Sequence, residues 1–307
     1  MRYLLLCAAM VFFVGCASKN YDHLSANTSI LASKKLSVTL YPQEEYFCGP
    51  SSMATLLEHQ RVAFVYADVI GSSFTPELKG ALQVEMKATA RRYGLIPYAL
   101  TPNLASILSE VSSGRPVLVL FNLGLVSLPT WHYAVVTGFD KETEYIYLSG
   151  TKSAQTWMRF DAFETFFERG GSWAIVALKP PLLPEASDEI ETVKAIADMA
   201  EVGYEDHAKQ AAMQYAKQHP LSFLGTMMLA NIHFGMKEYL SATAQYKHAL
   251  VLKPNDPAVL NNLARSLMRE EKLHEAKLYA LAAVNAGGVF AVESQATLEK
   301  INQKLQQ

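Results

Sequence analysis

The sequence predicts an α+β domain built on helices and an antiparallel sheet, followed by an all-α array of repeats. Three observations carry that expectation. Apolar helical patterns come first, and runs rich in β-branched and aromatic residues follow them. A proline-bearing stretch, "KPPLLPEASDE" at 179–189, then interrupts the texture. Beyond it the pattern is helical to the end and repeats with a period of 34 residues, as in Ala208, Ala242 and Ala276.

In chain order, the opening "MRYLLLCAAMVFFVGC" has a positive start at Arg2 and an apolar run from Tyr3 to Val14. That run is too short to span a bilayer and reads as an export signal. Phe13-Val14-Gly15-Cys16 resembles the bacterial lipobox, with Phe13 where leucine is usual. The resemblance implies a signal peptide at 1–15, cleavage before Cys16 and lipidation of its thiol. Ala17, in place of aspartate, implies an outer-membrane lipoprotein facing the periplasm. Residues 16–35 are polar and aperiodic, as suits a tether.

The α+β domain is expected over 36–180. "KLSVTLY" reads as a strand and "GPSSMATLLEHQ" as a helix entered through Pro50 and the serines. "TPELKGALQVEMKATARRYGL" reads as one long helix, capped by Thr75 and stopped by Gly94. "LASILSEVSSG" is a shorter helix. "RPVLVLFNLG", "WHYAVVTGFD", "EYIYLSG" and "SWAIVALKP" read as strands. Residues 181–188 are the expected linker.

From 189 the repeats are expected at 189–222, 223–256 and 257–290, with "AVESQATLEKINQKLQQ" as a C-terminal cap helix. Pro220, Pro254 and Gly288 share the period, Leu229 and Ala230 recur as Leu263 and Ala264, and Tyr239 recurs as Leu273. Small residues at this spacing resemble the tetratricopeptide repeat. Such an array implies a concave surface that grips an extended peptide or a protein partner.

Composition narrows the function. Half of the 307 residues are hydrophobic and 18% are charged, so packed cores are expected. The formal net charge is −2 and no basic block occurs, which argues against nucleic acid as a partner. There are three cysteines. Cys7 leaves with the signal and Cys16 takes the lipid, so Cys48 alone remains. One thiol builds neither an intramolecular disulfide nor a cysteine-rich metal site, and no cofactor is expected.

Cys48 stands before Gly49-Pro50, where a helix N-terminus favours a thiolate. Gly49 would let backbone approach a substrate, and Pro50 suits a first helical turn. Gln43, five residues upstream, is placed to donate to an oxyanion beside the Cys48 N–H. Among eight histidines, His132 opens an apolar strand. His23 falls in the tether, His59 ends a helix, and the other five belong to the repeats.

"QEEYFCGPSSMATLL", "GRPVLVLF" and "WHYAVVTGFD" together resemble the papain-like cysteine peptidases of the bacteriocin-processing type, which clip double-glycine leader peptides. The resemblance covers roughly residues 36 to 180. It implies Cys48 as nucleophile, His132 as general base and acid, Gln43 in the oxyanion hole, and peptide hydrolysis through a thioester. The family places an aspartate or asparagine after the next strand; here Ser149 and Gly150 stand at that point. Ser149 is left to accept a hydrogen bond from His132 without supplying charge. Asp140 lies in the expected hairpin turn, and Asp161 is a further carboxylate. Relatives inside transporters carry membrane helices and an ATPase, neither of which is matched here, so bacteriocin export is not carried over.

The leading expectation is a lipid-anchored periplasmic cysteine peptidase whose repeats recruit a substrate or partner. A catalytically weak or inactive peptidase-like scaffold, binding proteins as an adaptor, is the alternative. Another thiol acyl transfer by the same residues is the third.

Overall fold

The computed structural model describes residues 20–41, 46–149 and 155–307. The expected signal peptide, Cys16, Gln43 and Gly150 lie outside the described residues. The chain enters through α1 (Asp22–Ala26) and β1 (Ser33–Lys35). Residues 20–35 are therefore not the solvated tether expected. Tyr21, Leu24 and Ile30 are buried in the main core, and the Lys141 ammonium donates to the Leu24 and Ile30 carbonyls at 3.1 and 2.8 Å. Three apolar side chains without helical period still gain from burial, and period alone does not register that. The expected strand "KLSVTLY" is paired only at its first residue. The ladder covers Ser33–Lys35, and Leu36 adds one bond from its N–H to the Thr137 carbonyl at 2.7 Å.

Next come α2 (Cys48–His59) and α3 (Tyr66–Ser73), the second of which was not expected. The single helix expected from Thr75 to Gly94 is broken. A 3-10 turn covers Pro76–Leu78, Lys79 turns left-handed at φ 48°, and α4 (Gln83–Arg92) starts afresh. Glu85 explains the restart: its carboxylate accepts from the Leu82 N–H at 3.0 Å and from the Thr75 hydroxyl at 2.7 Å. That satisfies backbone at a new N-terminus. Gly94, at φ 75°, ends the helix as the sequence implies.

The rest of the domain is β2 (Ile96–Ala99), α5 (Leu104–Ser112), β3 (Val117–Asn122), β4 (Trp131–Asp140), β5 (Tyr145–Ser149), β6 (Gln155–Arg159), α6 (Phe160–Arg169) and β7 (Ala174–Leu178). The strands form one antiparallel sheet in the order β2-β7-β3-β4-β5-β6, with β1 on β4. Alternation along β3 divides its side chains between two layers. Val117, Val119 and Phe121 join the core that contains α5 and α6, while Leu118 and Leu120 join the core beneath α2 and α4. Helices lead and strands follow, as expected.

The helical region comprises α7 (Glu189–Glu201), α8 (Glu205–Gln218), α9 (Phe223–Gly235), α10 (Tyr239–Leu252), α11 (Pro257–Arg269), α12 (Leu273–Ala286) and α13 (Ala291–Leu305). Ala208, Ala242 and Ala276 are fully buried at equivalent points of α8, α10 and α12, where helices cross closely. Asp188, Ser222 and Asp256 cap α7, α9 and α11 with side-chain oxygens, again at the repeat spacing.

The segment expected as a linker is pinned instead. Leu183 is buried. The Glu110 carboxylate, itself fully buried, accepts from the Glu185 and Ala186 N–H groups at 2.5 and 3.0 Å and from Arg115 at 3.2 Å. Its prolines remove backbone donors but leave the donors at 185 and 186 for that buried carboxylate.

Candidate active site

Cys48 is the first residue of α2, preceded by Phe47 as N-cap and by Tyr46 at φ 74°. The helix thus starts one residue earlier than Gly49-Pro50 suggested. Pro50 falls within the first turn, where its missing N–H costs nothing. Gly49 is there for packing rather than for substrate: it is buried, and a Cβ on it would come within 2.7 Å of the Ala81 Cβ. The Tyr133 ring lies on the same spot, 3.5 Å from that Cβ position.

The sulfur meets β4 at its open edge. β5 covers β4 only from Val136 onward, and beyond it the Ser149 hydroxyl oxygen accepts from the Val135 N–H at 2.9 Å. The next N–H on that edge, from Tyr133, donates to the Cys48 Sγ at 3.5 Å. The thiol therefore lies beside the peptide bond that joins His132 to Tyr133. Cys48 and His132, expected together from sequence, are placed side by side through backbone. Among the described residues no hydrogen bond joins the sulfur to the imidazole ring. Alternation explains this: Tyr133 and Val135 face α2, whereas His132 shares parity with Ala134 and Val136 on the other layer.

Burial sets the charge of both groups. It pushes the Cys48 thiol above its ordinary value, opposed by hydrogen bonds from the Tyr133, Gly49 and Cys48 N–H groups. It pushes the His132 imidazole below its ordinary value. Both effects favour the neutral thiol and neutral imidazole. Sulfur among backbone donors at a helix start remains suited to developing negative charge.

Ser149 does not sit against His132. Its hydroxyl oxygen holds the Val135 N–H, three residues along β4, and no hydrogen bond to His132 is present among the described residues. Asp140 accepts from the Glu142 and Thr143 N–H groups in the β4–β5 turn, at the far end of the strand. Asp161 sits at the start of α6, 3.6 Å from Arg159. Neither carboxylate supplies a third member. His59 is half-buried at the end of α2, its Nε2 3.0 Å from the Gly114 carbonyl oxygen. Among the described residues no group of three or more His, Cys, Asp or Glu side chains is arranged to hold a metal.

Two contributors were missed. Tyr133 supplies the N–H on the sulfur and a ring against Gly49 and Trp173. Its place directly after His132 in a strand was the available signal. Asn122 is buried at the end of β3, where its Oδ1 accepts from the Gly124 and Thr130 N–H groups at 3.0 and 2.9 Å and so closes the loop before His132. An Asn followed by Leu-Gly is a turn signal that was available.

Residues 35–176 match the family described as Peptidase_C39 like family. No curated protein matches the chain. Among solved structures, the peptidase domain of Streptococcus ComA, a bifunctional ABC transporter involved in quorum sensing, is similar at 19% identity and a TM-score of 0.38. That match covers 46% of this chain and 97% of the other. A C39-like peptidase from Bacillus anthracis is similar at 14% identity and a TM-score of 0.37, over 47% and 98% of the two chains. The Yersinia enterocolitica type III secretion chaperone SycD, in complex with a peptide of the translocator YopD, is similar at 19% identity and a TM-score of 0.36. It covers 39% of this chain and 96% of its own. The stretch 35–176 is thus similar to the C39-like peptidase family; it packs helices on an antiparallel sheet and runs on into an all-α region whose sequence repeats every 34 residues.

Proposed function

We propose that the protein is a lipid-anchored cysteine peptidase of the cell envelope, held by Cys16 on the periplasmic side of the outer membrane. The Cys48 thiol at the first turn of α2, hydrogen-bonded by the N–H that follows His132, is the observation that carries the reading. In this scheme the imidazole reaches the sulfur around the open edge of β4 and takes its proton as sulfur attacks the peptide carbonyl. The oxyanion is met by N–H groups at the start of α2 and by the Gln43 amide. His132 returns the proton to the departing amine as the C–N bond breaks. Water then hydrolyses the thioester, releasing the acid and restoring the thiol. The repeats recruit the substrate or a partner protein.

The test uses the full chain. Iodoacetamide is expected to modify Cys48, and Cys48→Ala is expected to abolish cleavage of a peptide library while the far-ultraviolet circular dichroism is unchanged. Cleavage that survives Cys48→Ala would sink the scheme. The engagement of Ser149 by the Val135 N–H favours a second reading, a peptidase-like scaffold that binds partners through 189–307. In that case Cys48→Ala leaves partner capture intact and no cleavage is found in the unaltered chain.

A further inference from the structure

Five large apolar side chains stand in water on the loop that leads into the candidate site. Between β3 and β4, Leu123, Leu125, Val126 and Leu128 are 40, 64, 83 and 75% exposed, and Trp131 at the start of β4 is 57% exposed. An apolar patch left uncovered in this way marks a surface that meets something apolar. Its form is held firmly. Asn122 closes the base through the Gly124 and Thr130 N–H groups, Leu123 N–H donates to the Thr130 carbonyl at 2.9 Å, and Leu128 N–H to the Leu125 carbonyl at 3.2 Å. Gly124 is needed there, because a Cβ would come within 2.4 Å of the Leu128 carbonyl oxygen.

We propose that this loop inserts into the interfacial layer of a lipid bilayer, with Val126 and Leu128 deepest and Trp131 at headgroup level. Three observations favour a membrane over a peptide. The exposure peaks at Val126, so the surface is a protruding tip and not a groove. No Asp, Glu, Lys or Arg occurs from Pro116 to Phe139, so the tip itself carries no formal charge into the layer, and Arg169 meets only its base at Gly124. The loop also closes the backbone of its base, through the Leu123, Gly124, Leu128 and Thr130 N–H groups, which suits a shallow interfacial depth.

The placement of Tyr21 agrees. The Arg169 guanidinium at the end of α6 donates to the Gly124 carbonyl at 3.3 Å, and the Tyr21 hydroxyl donates to Glu164 on the same helix at 2.9 Å. Those two helix positions are about 7.5 Å apart along the axis, at 1.5 Å per residue. Residues 16–19 reach at most about 14 Å when extended. An anchor at Cys16 and the loop can therefore meet one membrane surface; this clause alone rests on the anchor reading. Insertion would hold the Cys48 thiol against the bilayer and favour substrates presented there.

The experiment uses the full chain carrying Trp157→Phe, with vesicles of phosphatidylethanolamine and phosphatidylglycerol whose acyl chains are brominated. Trp131 emission is expected to shift to the blue and to be quenched, and a further Trp131→Phe change is expected to remove that signal. Val126→Asp with Leu128→Asp is expected to abolish the quenching while circular dichroism is retained. Unquenched Trp131 in a chain that still floats with the vesicles overturns the insertion and leaves the anchor standing. Quenching unchanged by the double substitution, with a raised KM for a peptide, makes the loop a peptide-docking surface and also overturns the proposal.

Discussion

Two half-buried histidines tie stability to pH. His132 on β4 and His59 at the end of α2 are both held below the ordinary imidazole value of 6.5, chiefly by burial; the Gly114 carbonyl partly offsets this at His59. In the folded chain both stay neutral where the unfolded chain already takes up protons. The unfolded state therefore binds more protons, and stability rises with pH across that window. The contribution is present above about pH 6.5 and is lost as the pH falls through the depressed folded values. Urea midpoints measured at pH 7.5 and pH 5.5 are expected to fall at the lower pH, and the fall is expected to shrink in His59→Gln. A midpoint that does not move with pH would show that neither ring is buried neutral. On the proposed scheme, cleavage would share the acid limb, because a protonated His132 cannot accept the thiol proton.

At the scale of elements, Glu110 on α5 helps to fix the segment entering the repeats, together with Arg115, Thr101 and the Ser187 hydroxyl. Its carboxylate is fully buried and meets Arg115 and two N–H groups. Burial raises its pKa despite those partners. Glu110→Ala would strand a mostly buried guanidinium and two backbone donors, at a cost of about 3 kcal/mol in denaturant unfolding. Glu110→Gln keeps an oxygen for the N–H groups and is expected to recover part of that loss; equal loss in both variants would mean the N–H contacts contribute nothing. The sequence did not announce this role, because a lone glutamate in an amphipathic pattern reads as a solvated face. Other elements escaped for similar reasons. β2 holds four residues with Pro97 inside, and β6 is an exposed edge, so neither shows a clean alternation. In α6, Phe160, Phe163 and Phe167 make a buried stripe at helical spacing that was readable but sat between strand-like runs. Strongly periodic elements were legible: α2, α5, β3, β4 and the helical pairs of the repeats. The site was legible as far as Cys48 and the neighbourhood of His132. The ring orientation was not, because strand parity depends on where β4 begins.

Across the whole molecule, the peptidase-like part and the first helical pair share one apolar core. Ile96 and Tyr98 of β2, Ile196 and Met199 of α7, Ala208 and Tyr215 of α8, and Leu229 of α9 belong to a single contiguous cluster. Polar contacts reinforce it: Arg91 pairs with Asp198 at 2.7 Å, and the Tyr204 hydroxyl donates to the Arg92 carbonyl at 2.8 Å. The later helices have their own cluster, from Ala230 to Ile301. Cooperativity should follow those clusters rather than the change in sequence texture near 180. Ile196→Ala removes a fully buried side chain from the shared core and is expected to cost about 3 kcal/mol. That loss should appear in the sheet as well as in α7, because β2 is joined to β4 through β7 and β3. Hydrogen exchange is the discriminating measurement. In Ile196→Ala, amides of β2, β7 and α7 should lose protection together, while those of α11 and α12 should change little. Loss confined to α7 and α8 would mean that the sheet stands without them, and that the repeats are an appendage to the site instead of part of its foundation.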